Sequence, residues 1–134
     1  MHRFLIALLT AATLLTASGC STLADAKSAR GTGTVRVYNK PYDAVWDAVI
    51  AAVKSTSLSV AADNKRDGTV LAQGAVGPFS WGENVAIYVE DMGGKVRTKV
   101  EIINKRAIAA NITAADWERR LTAAIDARLG AGAK

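Results

Sequence analysis

The best nucleophile and the commonest general base each occur once in this 134-residue chain: Cys20, the single cysteine, and His2, the single histidine. Thiol and imidazole are the groups that acyl transfer and metal capture draw on most. One copy of each forms no set with metal-ligand spacing. The carboxylates are scattered, and Asp43 and Asp47 stand four residues apart, one turn of a helix. At a helix start that spacing makes a solvated pair favoured by the dipole, not a catalytic dyad. The chemistry available points away from an enzyme, and no cofactor or metal is expected.

The surroundings of Cys20 suggest a different use for its thiol. His2 and Arg3 make a short basic start, and residues 4–16 form an apolar run of thirteen without a charge. A membrane-crossing helix needs about 20 residues, whereas the apolar core of a secretory signal runs about 7–15. Ala17, Ser18 and Gly19 then lead straight to Cys20, and small residues suit a peptidase groove that cannot admit bulk. This run resembles the lipobox of bacterial lipoproteins, with Ala17 where the family most often has leucine. The resemblance implies a signal peptide over 1–19, a diacylglyceryl group on the Cys20 sulfur, and cleavage that leaves Cys20 first. Ser21 stands where an aspartate often signals retention at the inner membrane. That implies an outer-membrane lipid anchor with the domain facing the periplasm. Each buried acyl methylene contributes about 0.8 kcal/mol, so two or more chains hold stably. His2 would leave with the signal, and a lone cysteine allows no disulfide within the chain.

Residues 20–134 carry 16 Lys+Arg, since Arg3 is the one basic residue lost, against 12 Asp+Glu. A formal charge of +4, mixed in sign, lacks the dense basic cluster of a nucleic-acid binder. No nucleic-acid partner is expected. Residues 21–32 are small and polar with no apolar period, which reads as a flexible tether averaging about 20 Å. A single domain is expected over 33–130, with a disordered tail at 131–134.

Within that domain, residues 34–38 alternate, with Val35 and Val37 on one side, as a half-buried strand does. Tyr42, Val45, Trp46, Val49, Ile50 and Val53 recur at spacings of three and four. They predict an amphipathic helix over about 41–56, with Pro41 in its first turn and Asp43 favoured by its dipole. Leu58, Val60 and Ala62 alternate as a second strand, and Asp67-Gly68 marks a turn into a third over 69–76. Val85, Ile87 and Val89 alternate toward a turn at 91–94, followed by Val96, Thr98, Val100 and Ile102. A four-residue turn pairs Glu90 with Lys95, Val89 with Val96 and Ile87 with Thr98. The outer face then carries Tyr88 opposite Arg97 and Ala86 opposite Lys99. Thr113 with Asp116 reads as a capping box, and Trp117, Leu121, Ala124 and Ile125 follow as a helix stopped at Gly130.

The order β-α-β-β-β-β-α predicts an α+β fold, an antiparallel sheet with two helices on one face. Residues 38–48, Tyr-Asn-Lys-Pro-Tyr-Asp-Ala-Val-Trp-Asp-Ala, resemble the strand–proline–helix opening of small uncharacterised lipoproteins of Gram-negative bacteria. The layout is also similar to the helix-grip domains of a lipoprotein component of the outer-membrane β-barrel assembly machine. The resemblance implies a non-enzymatic partner protein and brings no catalytic residues. The expected function is an accessory or scaffold module that binds another envelope protein. The alternative is a small-ligand or lipid pocket between helices and sheet. Phe79 and Trp81, in the Gly/Pro-rich 74–82 segment, are the first candidates for partner contact, because aromatic residues are enriched at interface anchors. Tyr88, Arg97 and Lys99 come next.

Changing Cys20→Ser should leave an unacylated precursor that no longer partitions into membrane. Intact mass and membrane fractionation check it; unchanged mass and recovery would remove the anchor.

Overall fold

The computed structural model describes residues 21–77, 80–94, 96–106 and 115–130, with Ser80 and Trp81 placed by their backbone. The elements run α1 (Leu23–Ser28), β1 (Thr34–Tyr38), α2 (Tyr42–Lys54), β2 (Leu58–Asn64), β3 (Thr69–Gly74), β4 (Val76–Gly77), β5 (Ser80–Trp81), β6 (Glu83–Asp91), β7 (Thr98–Arg106) and α3 (Trp117–Leu129). The fold is α+β. A five-stranded antiparallel sheet in the order β1-β7-β6-β3-β2 carries α2 and α3 on one face, and β4 and β5 form a separate small hairpin.

Between α2, α3 and the sheet lies the main core. Val45, Val49 and Val53 from α2, Leu121 and Ile125 from α3, and Val70, Ile87, Val100 and Ile102 from the strands are all but fully buried. The 3.6-residue stripe read along α2 is the buried one, with Tyr42 and Ile50 at its margins. Trp46 is 4% exposed and stacks on Tyr42, ring centres 6.2 Å apart. Pro41 stands one place earlier than expected, at the N-cap, where its carbonyl accepts from Val45 N–H. Asp116, expected inside the last helix, is its N-cap and accepts from Arg119 N–H at 3.0 Å. Thr113 lies outside the described residues. Gly130, in the left-handed conformation, ends α3 as read.

Four readings change. Residues 21–32, expected as a tether, hold helix α1, docked on the sheet face opposite α2 and α3. A capping box starts it, Thr22 accepting from Asp25 N–H while the Asp25 carboxylate accepts from Thr22 N–H at 2.6 Å. Ala26 is fully buried against Ala86, Tyr88 and Ile103 in a second, smaller core. Among the described residues, the folded unit therefore includes 21–32 as well as the stretch from 33.

The β6–β7 hairpin has the right faces and the wrong register. Glu90 pairs with Lys99, Val89 with Val100 and Ile87 with Ile102, four residues beyond the expected partners. A slip by an even number keeps every side chain on its face, so alternation cannot detect it. The loop at 92–97 is longer than expected and is closed by Met92 N–H donating to Arg97 C=O. Thr98 is thereby drawn under α2's entry, its hydroxyl donating to Lys40 C=O at 2.9 Å, and Val96 is left outside.

β1 also turns over. Val35 and Val37 were the expected core side, yet they are 49% and 44% exposed, while Tyr38 is buried. Finally, β2 carries a bulge between Val60 and Ala62, so Ala62 pairs with Leu71 on the α1 side and leaves the stripe of Leu58 and Val60.

Gly68 shows why the 64–68 turn needs its glycine. Its φ is +63°, and an added Cβ would sit 1.9 Å from Val89 O. The same contact lets Gly68 C=O accept from Val89 N–H at 2.7 Å.

Trp46→Ala should cost about 3–5 kcal/mol as a large-to-small core change, read as a drop in the midpoint of denaturant unfolding. A loss below about 1 kcal/mol would mean that the α2 stripe packs less closely than its burial implies.

Candidate functional surface

The surface is built outward from β1. This strand pairs with β7 on one side, Thr34 with Ile102, Arg36 with Val100 and Tyr38 with Thr98. That register puts Thr34, Arg36 and Tyr38 on the helix face, where α3 supplies their partners. Thr34 Oγ1 donates to Glu118 at 2.5 Å, Arg36 Nη2 to Asp126 at 2.6 Å, and Tyr38 Oη to the other Asp126 oxygen at 2.7 Å. Glu118 also accepts from Asn104 N–H, which ties the start of α3 to β7. Burial, then the bond to Asp126 and its charge, push the Tyr38 phenol far above its ordinary value. The Asp126 carboxylate raises Arg36 in the same way. With its polar side engaged by α3, the strand presents its valines outward.

Val35 and Val37 therefore stand on the edge strand of the sheet, opposite Glu101 and Lys99. At the β1 end near Tyr38, the 92–97 loop adds Met92 and Val96, both exposed. Arg97 lies in that loop and is exposed. Lys99 is half-buried and engaged: its Nζ stands 2.6 Å from Glu90, which also receives Arg30 at 3.5 Å. The Lys99 ammonium, with help from Arg30 and against some loss of solvent, holds the Glu90 carboxyl below the ordinary carboxylate range.

Tyr88 is not on an open face, contrary to the expectation of a solvated outer sheet surface. It is 4% exposed under α1, its hydroxyl donating to Lys27 C=O at 2.7 Å and its ring covered by the Arg30 guanidinium at 4.6 Å. Burial is the first cause that raises its phenol. Its register partner is Glu101 and not Arg97. Of that set the structure puts Lys99 opposite Val37 and Arg97 in the adjoining loop, and it removes Tyr88.

Cys20 and Phe79 lie outside the described residues. Trp81 is placed by its backbone, across from Val76 in the β4–β5 hairpin. Val35 and Val37 were missed as surface residues because alternation names two faces without saying which is covered. The usable signal was connectivity: a first strand followed directly by a long helix is well placed to be a sheet edge.

Elsewhere an open cleft of about 560 Å³ follows the outer side of α2, lined by Trp46, Ile50 and Val60 with Asp47, Lys54 and Asp63. Among the described residues no group of three or more His, Cys, Asp or Glu could hold a metal ion, and no helix is long and apolar enough to cross a membrane. No family model matches the chain, and no curated protein is similar to it.

Tyr38→Phe should weaken the domain by about 1.5–3 kcal/mol at neutral pH, the range for hydrogen bonds to charged groups. The raised phenol also has a signature in pH. A group whose folded pKa exceeds its unfolded value stabilises fully below the unfolded value, here 10.0, and that contribution fades as pH rises beyond it. Thermal melts across this range should show the wild type losing stability above pH 10 more steeply than Tyr38→Phe.

Proposed function

We propose that the protein is a lipid-anchored, non-enzymatic module of a bacterial envelope that holds another envelope protein along the open edge of its sheet. The observation that carries this reading is the edge strand β1, whose two valines face outward while its polar side chains are engaged by α3. Exposed edge strands invite pairing, and proteins usually blunt them with charge, proline or a covering element. Here the one charged side chain of β1, Arg36, is held by Asp126. An extended segment of a partner could add a strand to β1, main-chain bonds supplying affinity and Val35 and Val37 supplying side-chain contact. Arg97 in the neighbouring loop and Lys99 beside Val37 would form the polar rim.

The anchor in this reading rests on the lipobox resemblance around Cys20. The non-enzymatic part rests on residues 21–134 holding neither histidine, the commonest general base, nor a thiol, the best nucleophile. Partner contact moves from the aromatic 74–82 segment to the β1 edge, because two exposed valines beside a sheet edge offer both backbone and apolar groups to one extended chain.

A photocrosslinker at Val37 in the full acylated chain should capture one envelope protein, and the same group at Asp63 on the opposite edge should not. Val35→Lys with Val37→Glu, which set a cation opposite Glu101 and an anion opposite Lys99, should abolish that product while shifting unfolding by no more than about 0.5 kcal/mol per site, as exposed substitutions do. Equal capture from both edges, or capture that survives the double substitution, would place the partner elsewhere.

A further inference from the structure

The chain enters the fold at one particular end of the sheet. Asn84 Nδ2 donates to Ser21 C=O at 2.8 Å, and Asn84 is itself held by Gln73 Nε2, which donates to Asn84 Oδ1 at 3.0 Å. Ser21 is thereby fixed beside the last residues of β3 and the first of β6. The peptide geometry leaves the Cα of residue 20 about 3.8 Å from that of Ser21. With α1 docked, an acyl group on residue 20 would be attached one peptide unit from a residue held on the sheet.

Two further features share that end. The β4–β5 hairpin springs from the same strands, and its Val76 is 75% exposed, the most exposed large apolar side chain among the described residues. Ser21, Thr22 and Leu23 line one groove with Gly74, Val76 and Gly82 at the base of the hairpin. The hairpin's sequence adds Phe79 and Trp81, a composition suited to the membrane interface, where aromatic rings are enriched. At the end of β7, Lys105 and Arg106 pair with Asn84 and Glu83. Arg106 is exposed and Lys105 half-exposed, with the Asp25 carboxylate near Lys105 and engaged by Thr22. Basic side chains beside an apolar tip suit an anionic lipid surface.

We infer that this end of the domain lies on the membrane, with the β4–β5 hairpin dipping into the lipid headgroup region beside the anchor. The inference rests on acylation of Cys20 and goes beyond it: the anchor sets an orientation as well as a location. β1 runs from mid-sheet toward the other end, so its Tyr38 end and the 92–97 loop point away from the membrane. The exposed Val76 of that hairpin is then a lipid contact.

The test uses the full acylated chain in vesicles of phosphatidylethanolamine and phosphatidylglycerol containing a headgroup-depth quencher. Val76→Cys and, separately, Met92→Cys carry an environment-sensitive fluorophore, and Cys20 is protected by its own thioether. The label at 76 should shift to the blue and lose several-fold more emission to the quencher than the label at 92. Equal, water-like emission from both labels on vesicle-bound, acylated protein overturns the orientation and leaves the anchor intact. A protein that stays off the vesicles and whose mass lacks acyl chains overturns the anchor and the orientation with it. Mass spectrometry separates those two failures.

Discussion

A buried carboxylate under the junction of α1 and β1 governs how the amino-terminal part of the chain is laid down. Glu101 is 4% exposed, and its Oε1 accepts from Gly31 N–H at 2.6 Å and Gly33 N–H at 3.1 Å. A charge removed from water is costly unless it is hydrogen-bonded, and here two backbone donors of a tight reversal meet it. Gly33 has no room for a side chain at that point, since an added Cβ would lie 2.2 Å from Ile102 O. The reversal fixes where α1 ends and where β1 begins, and so fixes the pairing of Thr34 with Ile102.

From that pairing follows the odd loading of β1. The strand must offer Thr34, Arg36 and Tyr38 to α3, and α3 answers with Glu118 and Asp126. A polar seam thus closes one margin of an otherwise apolar core, and the valines are displaced outward. α1 covers the middle of the opposite face, where Ala86, Tyr88 and Ile103 would otherwise be wet, but does not bury Val35 or Val37. Exposure on this sheet depends on which helix happens to reach each strand.

The same arrangement separates the two ends of the domain. Chain entry, the small hairpin, Lys105 and Arg106 gather at one end; the 92–97 loop and the Tyr38 end of β1 lie at the other. In the proposed reading, an anchor at the first end and a partner on the β1 edge would not compete for surface. In this reading the docked α1 converts a lipid attachment, which by itself would leave the domain free to tumble, into a fixed presentation of the sheet edge.

Period and turn chemistry, both local, carried much of the architecture. The α2 stripe was readable because six apolar residues recur at helical spacing, and Gly130 because a left-handed cap needs a residue without Cβ. The hairpin from β2 to β3 followed from alternation and the Asp67-Gly68 turn. Even α1 had a local sign, the Thr22-x-x-Asp25 capping box, hidden because Ala26 alone makes no apolar stripe. What alternation could not supply was a choice among states that keep every residue on its face. The four-residue slip of the β6–β7 hairpin and the reversal of β1 both belong to that class, since a period of two is blind to even shifts and to which side is covered. Those choices were made by contacts far apart in sequence: Thr98 with Lys40, Tyr38 with Asp126, Glu101 with Gly31. That the chain forms strands and amphipathic helices over these stretches is written locally, because periodicity and caps act within a few residues. Which valines meet solvent, and where the chain enters the sheet, was settled by the assembled fold, because both depend on helices arriving from elsewhere in the chain.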